Sequence, residues 1–226
     1  MDFSRQKELF DPAKFGSTPV HIIGCGATGS WVALQLCKLG VKEFHLYDDD
    51  VVEEHNIPNQ FFSPKTDISS FKAESLKEEI LNYGANDPNV NVTVGKVTGK
   101  EPQRMSGIVF CLVDSMKSRK EIFQNGVKLK PGIQLYVETR MGLEMGRVYA
   151  INPISIKEIR AYEATLYSDE DASVSACGTS QSIAPTANII ASMAVWKLIK
   201  HHNQFDYNNE VLFDIQNLNI LTSKWD

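Results

Sequence analysis

Cysteine pairs are missing from this sequence. The four cysteines, Cys25, Cys37, Cys111 and Cys177, stand far apart and never form C-x-x-C. That argues against a cysteine-rich zinc site and a disulfide framework, and it fits a reducing cytoplasm. An excess of positive charge is missing too. Twenty-three lysines and arginines face 28 aspartates and glutamates, for a net charge of -5. No basic stripe stands out, so nucleic acid is not expected as a partner. No apolar run is long enough to span a bilayer. The opening "MDFSRQKELFDPAKFG" is charged and has no apolar centre, unlike a signal peptide. A soluble cytoplasmic protein without a membrane partner is therefore expected. The five histidines show no ligand spacing, and internal repeats and low-complexity tracts are absent. With 42% hydrophobic and 23% charged residues, the chain can bury a real core.

What is present begins with "HIIGCGATGS", a G-x-G-x-x-G formed by Gly24, Gly26 and Gly29. Alone, the pattern is weak and suggests a dinucleotide such as NAD. Its context makes it stronger. Val20 to Ile23 reads as a buried strand, Ala27 to Leu39 as a helix closed by Gly40, and "VKEFHLYD" as a second strand. Strand, glycine turn, helix, strand is a crossover unit of a parallel sheet. Further helices are expected at 71–83, 116–127 and 183–201, and strands at 89–97, 107–114 and 132–140. "GRVYAIN" continues as β structure and "EVLFDIQNLNILTSKW" as a terminal hairpin. Residues 158–176 lack periodicity and read as a mobile crossover loop. The whole forms one α/β domain over residues 1–226, with the crossover at about 158–180.

Two acids fall at strand ends, where ligands of such sheets sit. Asp48 lies 19 residues beyond Gly29, where a carboxylate can hydrogen-bond a ribose diol. NAD and ATP both offer that diol, so Asp48 does not separate them. Asp114 follows the apolar run "IVFCLV", where a hard oxygen suits Mg²⁺ beside phosphates. It equally suits the cap of a helix beginning near Met116.

The order of several short motifs resembles the ThiF/MoeB proteins, bacterial relatives of ubiquitin-activating enzymes, over nearly the whole chain. "SRQ" at Ser4–Gln6 is similar to the family's Arg-Gln motif, and "GCGATGS" to its glycine loop. "LYDDDVVEEHNIPNQFF" resembles D-x-D-x-V-x-x-x-N-x-x-R-Q through Asp48, Asp50, Asn56 and Gln60. Lys72 and Ala73 match its lysine-alanine pair, and "VDSMKSR" resembles T-D-N-x-x-x-R through Asp114 and Arg119. "CGTSQSIAPTANIIASMAVWKLIK" resembles its C-x-x-x-G segment and following helix through Cys177, Pro185 and Lys197. The resemblance implies a Rossmann-like, largely parallel sheet flanked by helices, with a C-terminal β-hairpin. It also implies ATP- and Mg-dependent adenylation of the C-terminal glycine of a ubiquitin-like or sulfur-carrier protein. Gly24, Gly26 and Gly29 would let the backbone approach ATP, Asp48 would hold the ribose, Asn56 and Lys72 the phosphates, and Asp114 the Mg²⁺. Arg5 would reach the partner subunit's γ-phosphate across a homodimer. Cys177 has two readings, a structural cysteine, the commoner case beside a glycine, and an acceptor of the activated acyl group.

The departures bear on function as well. The family's in-cis arginine is Asn59, with Lys65 as an ill-spaced substitute, and the acid that begins D-x-x-D is Cys111. The zinc-binding cysteine pairs of many members are absent. Asn59 leaves room for a second reading, a nucleotide-binding scaffold or the non-catalytic half of a heterodimer. An NAD-linked oxidoreductase is disfavoured by Arg5, Lys72 and Asp114 together.

Overall fold

The structure is a computed structural model that describes residues 1–84, 87–101, 104–168 and 182–225. Its frame is an eight-stranded sheet in the order β3-β2-β1-β4-β5-β6-β7-β8. The strands are β1 (Val20–Ile23), β2 (Glu43–Asp48), β3 (Asn89–Val94), β4 (Gly107–Cys111), β5 (Ile133–Met141), β6 (Met145–Ile151), β7 (Glu210–Asp214) and β8 (Asn219–Ser223). From β3 to β5 every pairing is parallel, and from β5 to β8 every pairing is antiparallel. The expected α/β sheet and terminal hairpin are both present.

Alternation along the strands builds two apolar layers. On one face Ile22, Phe44, Ile108, Phe110 and Val137 meet α2 (Ala27–Leu39), α3 (Lys72–Tyr83) and α6 (Ala184–His202). On the other, Val109, Cys111, Tyr136 and Tyr149 meet α4 (Met116–Ile122) and α5 (Ile156–Glu163). Successive side chains of a strand point to opposite faces, so Ile108–Cys111 serves both layers in turn. Each such residue stabilises the fold by roughly 1.5–3 kcal/mol of burial. A short helix, α1 (Pro12–Phe15), precedes β1, and Glu54–Asn56 forms a single 3₁₀ turn; neither was expected. No helix among the described residues is long and apolar enough to cross a membrane.

Three expectations need correction. The strand expected over residues 107–114 ends at Cys111. Leu112 still donates to the Ile23 carbonyl at 2.7 Å, and the chain then turns across Gly24. Residues 158–163, expected as loop, belong to α5, because the Ser155 side chain caps its start by accepting from the Glu158 N–H. The later part of that expected crossover, residues 169–181, lies outside the described residues, and Cys177 with it. The third strand stops at Val94 rather than continuing to residue 97.

Candidate functional site

Strand order reverses between β1 and β4, and the glycine turn sits there at the carboxyl end of β1. Such switch points open a crevice at the strand ends. Each glycine has its own reason. Gly24 has φ +94°, and a Cβ there would lie 2.8 Å from the Leu112 backbone. A Cβ on Gly29 would fall 1.9 Å from the Gly24 carbonyl oxygen, so α2 can start this close to β1 only without a side chain. Gly26 differs: among the described residues, a Cβ would meet only Gln60 Nε2, at 3.9 Å. None of these residues demands a glycine there. The space over Gly26 is left open beside the first turn of α2, whose N-cap has no side-chain partner. Free N–H groups at a helix start favour anions.

Asp48 closes the turn from the side of β2. One carboxylate oxygen accepts from the Cys25 N–H at 2.6 Å and the other from the Asp50 N–H at 2.8 Å. Burial pushes its carboxyl upward, and these two backbone donors and the charge of Lys72 oppose that shift. A carboxylate has about four lone-pair sites, so two remain for a ligand hydroxyl. Burial also pushes the Cys25 thiol well above its ordinary range, which suits the inert filler role expected of it.

Lys72 is placed by backbone pairing. Its N–H donates to the Asp50 carbonyl at 2.9 Å, beside an antiparallel bridge between Val51 and Phe71. The side chain is buried, and its ammonium lies 2.8 Å from Asp50, whose carboxylate is 66% exposed. A pair with one solvated member is worth at most about 1 kcal/mol, so an incoming phosphate can displace Asp50 cheaply. Asp48, Asp49 and Asp50 bring carboxylate oxygens within 4.8 Å of one another, an arrangement able to hold a cation.

Asp114 is exposed in the turn after β4, and the helix-cap reading fails for it. Ser115 caps α4 instead, accepting from the Ser118 N–H at 3.2 Å. The turn that carries Asp114 packs on Gly24, which puts this carboxylate beside the glycine turn but outside the group of three aspartates.

The segment from Asn56 to Gln60 forms the remaining wall. Trp31 Nε1 donates to the Asn59 carbonyl at 3.1 Å, and the Phe61 N–H donates to Ser30 Oγ at 2.9 Å, so the segment is stitched to α2. Asn59 donates its amide to Ser182 Oγ, a contact that the sequence did not signal. Asn59 Oδ1 and Gln60 Oε1 are buried without partners among the described residues, two acceptors open to a ligand or water. Asn56 is buried, and its Oδ1 accepts from the Glu53 N–H at 3.0 Å in a capping box, so this oxygen shapes the 3₁₀ turn.

Arg5 lies elsewhere in its own chain. Its neighbour Gln6 donates to the Leu39 carbonyl at 2.8 Å, and Phe3 packs on Gly40. That is the far end of the 13-residue α2, about 20 Å from the glycine turn. The exposed Arg5 therefore does not join the other candidate residues in this chain.

The fold and this strand-end crevice define the class: a doubly wound α/β protein with a glycine turn and a strand-end carboxylate at its switch point. The chain belongs to the ThiF family, whose profile matches residues 9–226. It is 30% identical to the sulfur carrier protein ThiS adenylyltransferase of Escherichia coli over 132 residues, 54% of this chain and 51% of that protein. It is 25% identical to the DNA damage tolerance protein RHC31 of Saccharomyces cerevisiae over 133 residues, 58% of this chain and 38% of that protein. The chain thus spans about half or less of the curated relatives it matches. The crystal structure of E. coli MccB with ATP has a TM-score of 0.71 at 17% identity, covering 95% of this chain and 66% of MccB.

Proposed function

We propose that this chain is a cytoplasmic, Mg-dependent adenylyltransferase that activates the C-terminal glycine of a small ubiquitin-like or sulfur-carrier protein. The observation that carries the reading is Gly26, an open position beside free helix N–H groups, with Lys72 and Asp48 next to the same turn. Together these groups suit a polyphosphate joined to a ribose. The named activity of the ThiS adenylyltransferase and the structures of MccB with ATP and with MccA support the same chemistry. One oxygen of the partner's terminal carboxylate attacks the α-phosphorus of ATP. The α–β phosphoanhydride bond breaks, and pyrophosphate leaves with that electron pair. The products are an acyl-adenylate and pyrophosphate.

Gly24 and Gly29 let the turn close tightly, Gly26 leaves room for the phosphates to approach its backbone, Asp48 takes the ribose, and Lys72 exchanges Asp50 for a phosphate oxygen. Asn56, Asn59 and Gln60 line the wall with amides. Asp114 offers a hard oxygen ligand for Mg²⁺, and the ion would neutralise phosphate charge when bound. Arg5, distant in its own chain, serves a second copy in a two-fold dimer. An apolar groove of about 470 Å³ between α2 and α6, lined by Leu9, Leu34, Val195 and Trp196, offers a face for that contact. After adenylation the Cys177 thiol, giving up its proton, attacks the acyl carbon; the acyl–phosphate bond breaks, AMP leaves and a thioester forms, and a thiol-sensitive adduct lost in Cys177→Ala tests this step.

A scaffold reading has one specific observation in its favour: Asn59 carries no charge, and its amide is engaged by Ser182. Calorimetry with ATP and Mg²⁺, paired with ATP–pyrophosphate exchange in the presence of candidate carrier proteins, separates the two. Binding with exchange supports the enzyme. Tight binding without exchange for any carrier supports the scaffold.

A further inference from the structure

Behind the candidate site lies a group of charges that the proposed chemistry does not use. Glu138 sits on β5 with no exposed surface, between two arginines of opposite reach. Arg119, on α4, pairs with one Glu138 oxygen and donates also to the carbonyls of Thr139 and Val113. The Val113 carbonyl belongs to the peptide unit that leads into Asp114. Arg140, two residues along β5, donates to Glu138 at 3.0 and 3.2 Å, then reaches outward. It holds the Thr165 carbonyl at 2.7 Å and the Thr165 hydroxyl at 2.9 Å, in the turn that follows α5. Tyr162 donates to the second Glu138 oxygen at 3.0 Å and meets the Tyr136 hydroxyl at 3.2 Å.

The geometry points to Glu138 as a positioning residue: through Arg119 it fixes the turn that presents Asp114, and through Arg140 it ties that turn to the one after α5. The turn at 112–114 is pinned on one side by the close approach of Gly24 and on the other by Arg119. The close approach of Gly24 and the hydrogen bond from the Leu112 N–H to the Ile23 carbonyl both act upstream of the Val113 carbonyl. The guanidinium supplies the second fixed point, and its own orientation is set by Glu138. Buried charges of this kind are retained where they specify one arrangement among several. As a role in catalysis, the inference rests on the adenylation reading above.

Three variants of the full chain read the clamp. Glu138→Gln removes the shared charge, Arg119→Lys cannot span three acceptors at once, and Thr165→Val weakens only the outer arm, removing the hydroxyl contact and keeping the carbonyl one. Hydrogen–deuterium exchange should rise at least tenfold over residues 112–115 in Glu138→Gln and Arg119→Lys. In Thr165→Val it should rise only over 164–168. The Mg²⁺ concentration for half-maximal ATP–pyrophosphate exchange should rise about tenfold in the first two variants, with the rate at saturating Mg²⁺ less affected. A merely structural role lowers the active fraction and leaves that half-saturation where it was. Should Glu138→Gln fail to fold, Arg119→Lys carries the same two readouts. Unchanged exchange at 112–115 in Arg119→Lys, or an unmoved Mg²⁺ half-saturation, overturns the proposal. A wild-type chain that gives no pyrophosphate exchange overturns the adenylation reading instead, and hydrogen exchange then judges the clamp alone.

Discussion

The molecule carries two charged clusters that differ in almost every physical respect. At the rim, Asp48, Asp49 and Asp50 outnumber Lys72, and the Asp50 partner is mostly in water. In the core, Arg119 and Arg140 outnumber Glu138; Glu138 and Arg119 are buried, and the Arg140 side chain is 10% exposed. Solvent screens the first and leaves its partners exchangeable. Burial makes the second rigid, because a lost partner cannot be replaced by water. The proposed ligand handling falls to the cluster that can change partners, and the proposed clamp to the one that cannot.

Stability measurements break or sharpen that contrast. The largest effect is expected in the core. Glu138→Ala should cost about 3–5 kcal/mol in urea unfolding, the usual loss when one member of a buried pair is removed. A cost below about 1 kcal/mol would place this cluster with the rim. Asn59→Arg adds a cation to the rim side of the crevice. If the new guanidinium displaces the Ser182 contact and meets phosphate, ATP should bind more tightly by about 1.5–3 kcal/mol. Calorimetry that shows weaker binding would mean that the wall has no room for it.

A third test uses a buried group whose charge has no counter-ion. His21 stacks on His45 at 4.5 Å, shares a 2.9 Å hydrogen bond with the Tyr47 hydroxyl, and accepts from the Ser106 N–H through Nε2. Burial, and then the neighbouring His45, push it down to about 3 from an ordinary 6.5. The folded protein therefore keeps His21 neutral while the unfolded chain takes up a proton. Its stabilisation is complete above pH 6.5 and is lost as pH falls from there towards 3. The slope is at most about 1.4 kcal/mol per pH unit. His21→Phe should flatten that part of the stability profile, and an identical profile would contradict the assignment. The smallest effect is expected from Asp50→Ala, within about 1 kcal/mol of wild type in the same urea assay.

The rim was legible in the sequence and the core cluster was not. Gly24 and Gly29 are dictated by backbone contacts that a local motif encodes, and Gly40 ends α2 in the left-handed conformation expected of a cap. The parallel strands were readable from their apolar runs. Arg119 was visible as part of a resemblance, but its partner lies 19 residues away on another element. One local signal existed: Glu138 and Arg140 follow the apolar run Leu135–Val137 two residues apart, on one face of β5. The helix α5 is only eight residues long, too short for periodicity to stand out, although Ile156, Ile159 and Tyr162 recur every three residues and Ser155 and Glu158 stand at capping distance. Asn59 read as a lost cation. Its contact to Ser182 spans 123 positions and has no counterpart in sequence spacing.

The account's central claim is that the exchangeable rim, Lys72 with the carboxylates around the glycine turn, performs adenylyl transfer. ATP–pyrophosphate exchange in the presence of a carrier protein, compared between wild type, Lys72→Ala and Asp114→Ala, tests it most directly. Removing one electrostatic contact of this kind costs about 2.7–4 kcal/mol at the transition state, a loss of roughly 10²–10³ in rate. That loss is predicted for both variants, with unfolding curves within about 1 kcal/mol of wild type. Wild-type exchange rates in both variants would contradict the assignment of the site.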